Sequence, residues 1–375
     1  PMRHAMPRKR HVGRWVALGV LVVVLGVLGI AGVLFLNRAQ EVVDQVTQGR
    51  GGSPIQILMA SPLNGESSGR VNVLLAGSSF DEQGHDGAAL TDSIMVASMD
   101  LKTNSIAVVS IPRDLWVSYR GQHMKINAVF AKGAGVPADS NTLGDYDAGM
   151  KALGQVATTV TGLEIDHYAL VGYGALKDIV DAVGGIDIVV RGTENKGIYD
   201  PAASVDLKEG PQHIDGLTAL RLSRARNDPQ AEGNKHSYGV NDNDFGRTRN
   251  QRVVMAALLD KVKNSPALAN PATILAVFDT VSHNVRSDLT VGQVRRMYDL
   301  SAKSTGMVSA TIKGEGKIQL LLDNNVHPET PAAKWSLIPA AGTFNYSAIR
   351  QYIAQVCGIT APPVTATTTP STKKP

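Results

Sequence analysis

Three short segments place arginines beside apolar runs, and the chemistry they offer is anion binding. In Ser110-Ile111-Pro112-Arg113-Asp114, a run of strand-forming residues stops at a proline that cannot donate to a ladder. Arg113 and Asp114 then emerge at a sheet end, where layered α/β proteins place their sites; a salt-bridged loop is the plainer reading. In Ala219–Arg226 (ALRLSRAR), an extended end would point Arg224 and Arg226 to one face. Two adjacent guanidiniums repel unless an anion joins them, and a phosphate or pyrophosphate fits their bidentate forks. The alternative is a helix end carrying surface basics. In Asp244–Gln251 (DFGRTRNQ), Asp244 suits an N-cap, and Arg247 and Gln251 are four residues apart on the helix that follows. Both lie near the positive end of its dipole.

Asp92 follows an acidic loop (Asp81 to Gly87) and opens an apolar run. A carboxylate there can hold a hard cation such as Mg²⁺, which takes one or two carboxylates plus phosphate oxygens; a strand cap is the alternative. Lys125 adds a cation just past the Arg113 segment.

Other chemistries lack their signatures. Gly314-Glu315-Gly316-Lys317 has neither the upstream glycine nor the Ser/Thr of a P-loop. Gly172-Tyr173-Gly174 lacks the third glycine of a dinucleotide loop, and no Gly-x-Ser-x-Gly elbow surrounds Ser78 or Ser79. The histidines lack zinc spacing and read as loop residues. Cys357 is the single cysteine, which excludes an intrachain disulfide and a thiolate cluster.

The elements that must position these residues alternate along the chain. Residues 71–77, 93–98, 105–111, 168–171 and 186–190 read as strands, and 145–160, 175–183 and 244–263 as helices. This interleaving predicts an α/β or α+β layered domain over about residues 71–360. Residues 37–70 are rich in turn formers and read as a stalk; residues 361–375 form a Thr/Pro tail with nothing to bury.

Residues 15–36 carry no charge, and as a helix they would span about 33 Å, close to the hydrocarbon thickness of a bilayer. Residues 1–14 hold five cations and no acid, which predicts a cytoplasmic N-terminus, a single membrane anchor and an extracytoplasmic body. A cleaved signal peptide would have a shorter apolar run. Without those five charges and Lys373 and Lys374, the net charge falls from +4 to −3. A mildly acidic body argues against nucleic acid as a partner.

Together, VNVLLAGS, TDSIM, SIPRDLWV, KINAVF, VDAVGGIDI, GPQHIDGLTAL, SRAR and DFGRTRNQR resemble the LytR–CpsA–Psr family in order and spacing over about residues 71–255. The resemblance implies a three-layer α/β/α domain with a central mixed sheet, behind one transmembrane helix. It implies a phosphotransferase that moves a glycopolymer from a polyprenyl-pyrophosphate carrier to a peptidoglycan hydroxyl at the membrane lipid surface, with an apolar pocket for the prenyl chain. Carried over by position, Arg113, Lys125, Arg224, Arg226, Arg247 and Gln251 would contact the pyrophosphate, with Arg113 and Arg247 also catalytic. Asp92 would bind Mg²⁺ (or Mn²⁺). Two positions depart from the family pattern. Serine stands where Gly-x-Asp is expected (Gly77-Ser78-Ser79), and Leu90 stands where arginine precedes the metal aspartate. Asp81 or Asp86 could supply the missing carboxylate from the loop. The rival readings are a non-catalytic carrier-lipid or wall-glycan binding protein and a polyprenyl-pyrophosphate hydrolase. A transcription attenuator conflicts with a cytoplasmic segment of only about 14 residues.

Overall fold

A computed structural model describes residues 60–80, 89–227, 236–240, 243–264, 284–313, 319–324 and 333–359. The expected anchor, Asp81, Asp86 and the tail lie outside these residues. Among the described residues, no helix is long and apolar enough to cross a membrane.

Six described strands form a mixed sheet. They are β1 (Arg70–Ser78), β2 (Ser93–Asp100), β3 (Ser105–Ser110), β6 (His167–Gly172), β11 (Val285–Ser287) and β12 (Gly306–Thr311), ordered β11-β6-β1-β2-β3-β12. β1 runs parallel to β6, and β3 parallel to β12; the β1–β2, β2–β3 and β11–β6 pairs are antiparallel. The carboxyl ends of β1, β3, β6 and β12 therefore share one edge with the start of β2.

The strands alternate sides as their period dictates. Leu74, Ala76, Ile94, Val96, Ala107 and Val109 point into one core, under α1 (Val129–Ala134), α2 (Tyr146–Thr161) and α7 (Ser347–Val356). Val71, Val73, Met95, Met99, Ile106 and Val108 point into another, under Leu300 of α6 (Val291–Ala302). Apolar layers on both faces give the α/β architecture expected from the alternating pattern. A third cluster joins α3 (Tyr173–Ala182), α4 (Gly216–Arg224) and α5 (Asn243–Lys263) to β7 (Ile186–Val190), β8 (Ile198–Asp200), β9 (Val205–Leu207) and β10 (Gly210–Ile214).

Two local features show how tightly the elements are fixed. α2 starts at Asp145, whose carboxylate accepts from the Ala148 N–H at 3.1 Å, and ends at Gly162 with φ 76°. It crosses α1 where both carry glycine. A Cβ on Gly149 would lie 2.9 Å from the Phe130 carbonyl oxygen and 2.7 Å from its ring. Gly149→Ala therefore overpacks a seam that cannot give way, and a loss of roughly 1–3 kcal/mol in denaturant unfolding is expected, despite alanine's better helix propensity.

The described end of the segment read as a stalk is packed onto the domain. Leu63 is buried, the Ser61 N–H donates to the Gly292 carbonyl, and the Asn64 N–H donates to His167 Nε2 at 3.0 Å. The domain thus begins before the first strand, because turn formers here cap a sheet edge. Glu66 locks the segment to α6. Arg296 donates to both carboxylate oxygens at 2.9 and 3.0 Å, holding the Glu66 pKa below its usual range. A depressed carboxylate contributes stability above the ordinary carboxylate range and loses it as pH falls through the lowered value. Glu66→Gln should cost roughly 1–3 kcal/mol at neutral pH, with the gap to wild type closing in thermal melts on acidification.

Three of the four described histidines are not the loop residues expected. His123 lies on β5 (Gln122–Lys125), His167 on β6 and His213 on β10. His167 is buried, and its Nδ1 lies 3.4 Å from Asp288 Oδ2. Its place in the core explains it without a metal.

Candidate functional site

The site grows from the sheet edge where β1, β3 and β6 end and β2 begins. β3 stops at Ser110, and the Leu115 N–H donates to the Pro112 carbonyl, so the chain turns and presents Arg113 and Asp114. Arg113 Nη1 donates to Asp92 Oδ1 at 2.7 Å, and its Nε lies 3.6 Å from Asp114 Oδ2. The hairpin of β4 (Trp116–Tyr119) and β5 then folds back and sets Lys125 opposite Trp116. Lys125 Nζ donates to Asp114 Oδ1 at 2.8 Å. The four side chains form one chain of alternating charge, each about three-quarters buried.

α5 closes this cluster from above. Phe245, Arg247, Thr248 and Gln251 from the helix, with Asp92 to Ile94, Ile111 to Asp114 and Leu337, line a small polar cleft. Arg247 is buried, and its Nη2 donates to the Asp92 carbonyl at 3.4 Å. Residues 247 and 251 lie on one row of the helix, as their spacing predicts.

A second cleft, with about 690 Å³ of open space, adjoins the first. Its walls are mostly apolar: Leu75, Ala76, Met95, Val171, Leu176, Leu220, Val254 and Met255 among them. Ser93 and Gln251 line both clefts. Gln251 forms the seam between them. Its Oε1 accepts from Ser93 Oγ at 2.9 Å, and its Nε2 donates to the Ser223 carbonyl at 3.3 Å.

The sequence-derived site residues divide accordingly. Asp92, Arg113, Lys125 and Arg247 converge on the polar cluster. Gln251 is beside them, but its amide is committed to protein partners at the seam. Arg224 lies on the apolar cleft, with its guanidinium 5.0 Å from the Tyr173 ring centre. Arg226 lines neither cleft, and its backbone N–H donates to Asp200 Oδ2. The segment is helical to Arg224 and extended only from Ala225, so of the two readings the helix end carrying basic residues is the one found. Asp215 caps that helix at Thr218, and its buried face carries Ala219 and Leu222. Asp81 lies outside the described residues.

Several site residues went unnoticed in the sequence. Ser93 and Ser223 lie inside the TDSIM and SRAR segments but were given no role there, and Leu337 arrives from more than two hundred residues beyond Arg113. Lys313 sits just beyond β12, with Nζ 4.4 Å from the Phe245 ring centre. Phe245 lies inside the DFGR segment, so only its apolar neighbourhood could have drawn notice.

Among the described residues there is no group of three or more acidic, histidine or cysteine side chains. Ser78 and Ser79, both buried, stand where a second carboxylate was expected. The described carboxylates at that edge are Asp92, whose Oδ1 takes Arg113, and Asp114, whose Oδ1 takes Lys125. One carboxylate fits a water-rich Mg²⁺ that gains its remaining ligands from phosphate oxygens.

A sequence profile of the LytR_cpsA_psr family matches residues 33–332. The chain belongs to that family. It is 33% identical over 234 residues to the "Probable cell wall biosynthesis protein LcpB" of Corynebacterium glutamicum, covering 61% of this chain and 48% of the relative. It is 31% identical over 233 residues to the "Polyisoprenyl-teichoic acid--peptidoglycan teichoic acid transferase TagU" of Bacillus mycoides, covering 61% and 63%. The match therefore spans about half to under two thirds of these relatives. The crystal structure of B. subtilis TagV superposes with a TM-score of 0.55 at 22% identity, over 78% of this chain and 98% of that one. A structure of "TagT bound to LI-WTA" superposes with a TM-score of 0.54 at 17% identity, over 84% and 100%. These likenesses establish the family's α/β fold with its central mixed sheet.

Proposed function

We propose that this family member is a phosphotransferase that moves a glycopolymer from a polyprenyl-pyrophosphate carrier to a hydroxyl of peptidoglycan. The observation that carries this reading is the junction of the two clefts at Ser93 and Gln251. An apolar trough meets a polar pocket that presents Arg113 and Arg247 beside Asp92 and Asp114, which suits an amphiphile with a long hydrocarbon tail and a diphosphate head. The name of the Bacillus mycoides relative, a polyisoprenyl-teichoic acid–peptidoglycan teichoic acid transferase, supports the same substrate class.

In this mechanism the tail lies against Leu176, Leu220, Val254 and Met255, with Arg224 at the cleft wall meeting the phosphate nearer the lipid. Arg113 and Arg247 hold the diphosphate, with Lys125 behind them through Asp114. The acceptor oxygen attacks the glycan-linked phosphorus as the anhydride bond to the prenyl phosphate breaks. Prenyl monophosphate departs with the electron pair, and the hydroxyl proton passes to solvent. The protein contributes positioning and charge neutralisation, which dominate phosphoryl transfer. Mg²⁺ or Mn²⁺ held by Asp92 would neutralise further phosphate charge. A membrane anchor at residues 15–36, with an extracytoplasmic body, would bring the clefts to the surface where such a carrier resides.

The non-catalytic reading has one specific support: serine replaces the expected carboxylate, and Arg113 occupies Asp92. The deciding experiment gives purified protein a prenyl-pyrophosphate-linked glycan and peptidoglycan, with and without Mg²⁺. The proposal expects glycan joined to peptidoglycan and stoichiometric prenyl phosphate. Binding of the lipid without either product supports the binding protein. Prenyl phosphate released without acceptor, at the same rate, supports the hydrolase.

A further inference from the structure

We propose that the Ser93 hydroxyl is a further catalytic group, which donates to the phosphate nearer the lipid and stabilises the departing prenyl phosphate. This rests on the transfer reading above and deepens it at the leaving group.

The sheet sets the position. Ser93 opens β2 and pairs with Gly77 near the end of β1. The Asp92 N–H donates to the Gly77 carbonyl at 2.9 Å, so the start of β2 is fixed to that edge. A Cβ on Gly77 would lie 3.1 Å from Ser93 Cβ, and Gly77 itself lines the apolar cleft. Glycine at this point therefore keeps the space beside Ser93 open. Ser93 is half-buried, and among the described residues Ser93 and Gln251 alone line both clefts. A carrier with its tail in the apolar cleft and its head in the polar one must pass these two side chains. The first charged group beyond the hydrocarbon is the lipid-side phosphate, so this is the group that meets the seam.

The hydroxyl is set to donate there. Gln251 Nε2 donates to the Ser223 carbonyl, which leaves Oε1 facing Ser93. Ser93 Oγ gives its single hydrogen to that oxygen at 2.9 Å. A phosphate oxygen is a stronger acceptor than a neutral amide, because hydrogen bonds to ionised groups contribute more. When the lipid-side phosphate arrives, the Ser93 O–H turns to it. The same anion repels Gln251 Oε1, and the Ser223 bond that holds the amide is long at 3.3 Å. The amide then rotates and brings Nε2 to the seam, so two neutral donors face the phosphate. In the transfer step the acceptor oxygen bonds to the glycan-linked phosphorus. The anhydride bond breaks, and its electron pair goes to the lipid-side phosphate. Charge grows on that group, and a donor already aimed at it lowers the barrier. Ser93 keeps its proton throughout.

The test uses the full chain in detergent micelles, with protein-free micelles as blank, and the variants Ser93→Ala and Ser93→Cys. The probes are geranyl phosphate, which stands for the leaving group, and geraniol, which has the same tail and no phosphate. Ser93→Ala should bind geranyl phosphate roughly tenfold more weakly and geraniol as wild type does. Its single-turnover transfer should fall roughly 10²-fold, with Ser93→Cys, a weaker donor of similar size, between the two. Unchanged geranyl phosphate affinity and transfer rate in Ser93→Ala overturn the role of Ser93 and leave the transferase reading intact. Equal losses for geraniol and geranyl phosphate also overturn it, since the hydroxyl then only shapes the cleft. A wild-type protein that transfers nothing, yet binds geranyl phosphate through Ser93, sinks the transferase reading and keeps the phosphate contact.

Discussion

Arg247→Ala is expected to lower the rate of glycan transfer roughly 10²–10³-fold, the loss typical of removing one preorganised donor to developing charge. Arg247 is buried on α5 between the Asp92 segment and the polar cleft. It is desolvated before substrate arrives, so little reorganisation is needed when phosphate charge builds. Charge-assisted contacts of this kind contribute about 1.5–3 kcal/mol each. Arg247→Lys keeps the charge but loses the planar fork, and it should recover only part of the rate. The fold should survive, because α5 is held elsewhere through Val253, Val254, Ala257 and Leu258 in the third cluster. Arg249 is exposed on the same helix, and Arg249→Ala serves as the control, with a rate near wild type. Single-turnover transfer with melting temperatures recorded in parallel separates the two effects. A wild-type rate in Arg247→Ala removes this residue from the site.

The polar half of that site was readable in the sequence because proline and helix signals act locally. Pro112 marks where β3 stops, so Arg113 could be put at a sheet edge without knowing the sheet. The four-residue spacing of Arg247 and Gln251 fixed a shared helix face in the same way. The five strands and three helices read from the sequence match the structure to within two residues for the same reason. What failed depended on tertiary context. Residues 219–226 contain helix formers and three arginines, and only the burial of Ala219 and Leu222 shows that the helix runs as far as Arg224. Residues 60–69 look like linker by composition, yet the Glu66–Arg296 pair, 230 positions apart, docks them. His167 reads as a loop residue until β6 is seen inside the sheet. Gln251 shows the limit most directly. Its spacing was right, but its hydrogen bonds to Ser93 and to the Ser223 carbonyl make it the seam between two clefts rather than a ready anion contact.

Substitutions at Asp92 and Arg113 should move metal affinity in opposite directions while both slow transfer, and this contrast is the sharpest test of the proposed Mg²⁺ site. Arg113 Nη1 sits 2.7 Å from Asp92 Oδ1, where a cation bound to that carboxylate would compete with it. The pair is partly buried, so a monovalent guanidinium and a divalent ion cannot share the oxygen without cost. Asp92→Asn removes the charge that serves both. Transfer should fall by roughly 10² or more, and the Mg²⁺ concentration for half-maximal rate should rise about tenfold or more. Arg113→Ala also loses a phosphate contact, so its rate falls by a similar factor. It frees Asp92 from its competitor, however, and Mg²⁺ or Mn²⁺ should bind the substrate-free protein more tightly than in wild type, as titration calorimetry would show. If the proposed mechanism holds, arriving diphosphate would draw Arg113 toward the head group and release the carboxylate, so metal and lipid should bind with positive cooperativity. Should Asp92→Asn leave the Mg²⁺ dependence unchanged, Asp92 is only the anchor of Arg113. Catalysis would then rest on Arg113, Arg247 and the lysine behind them.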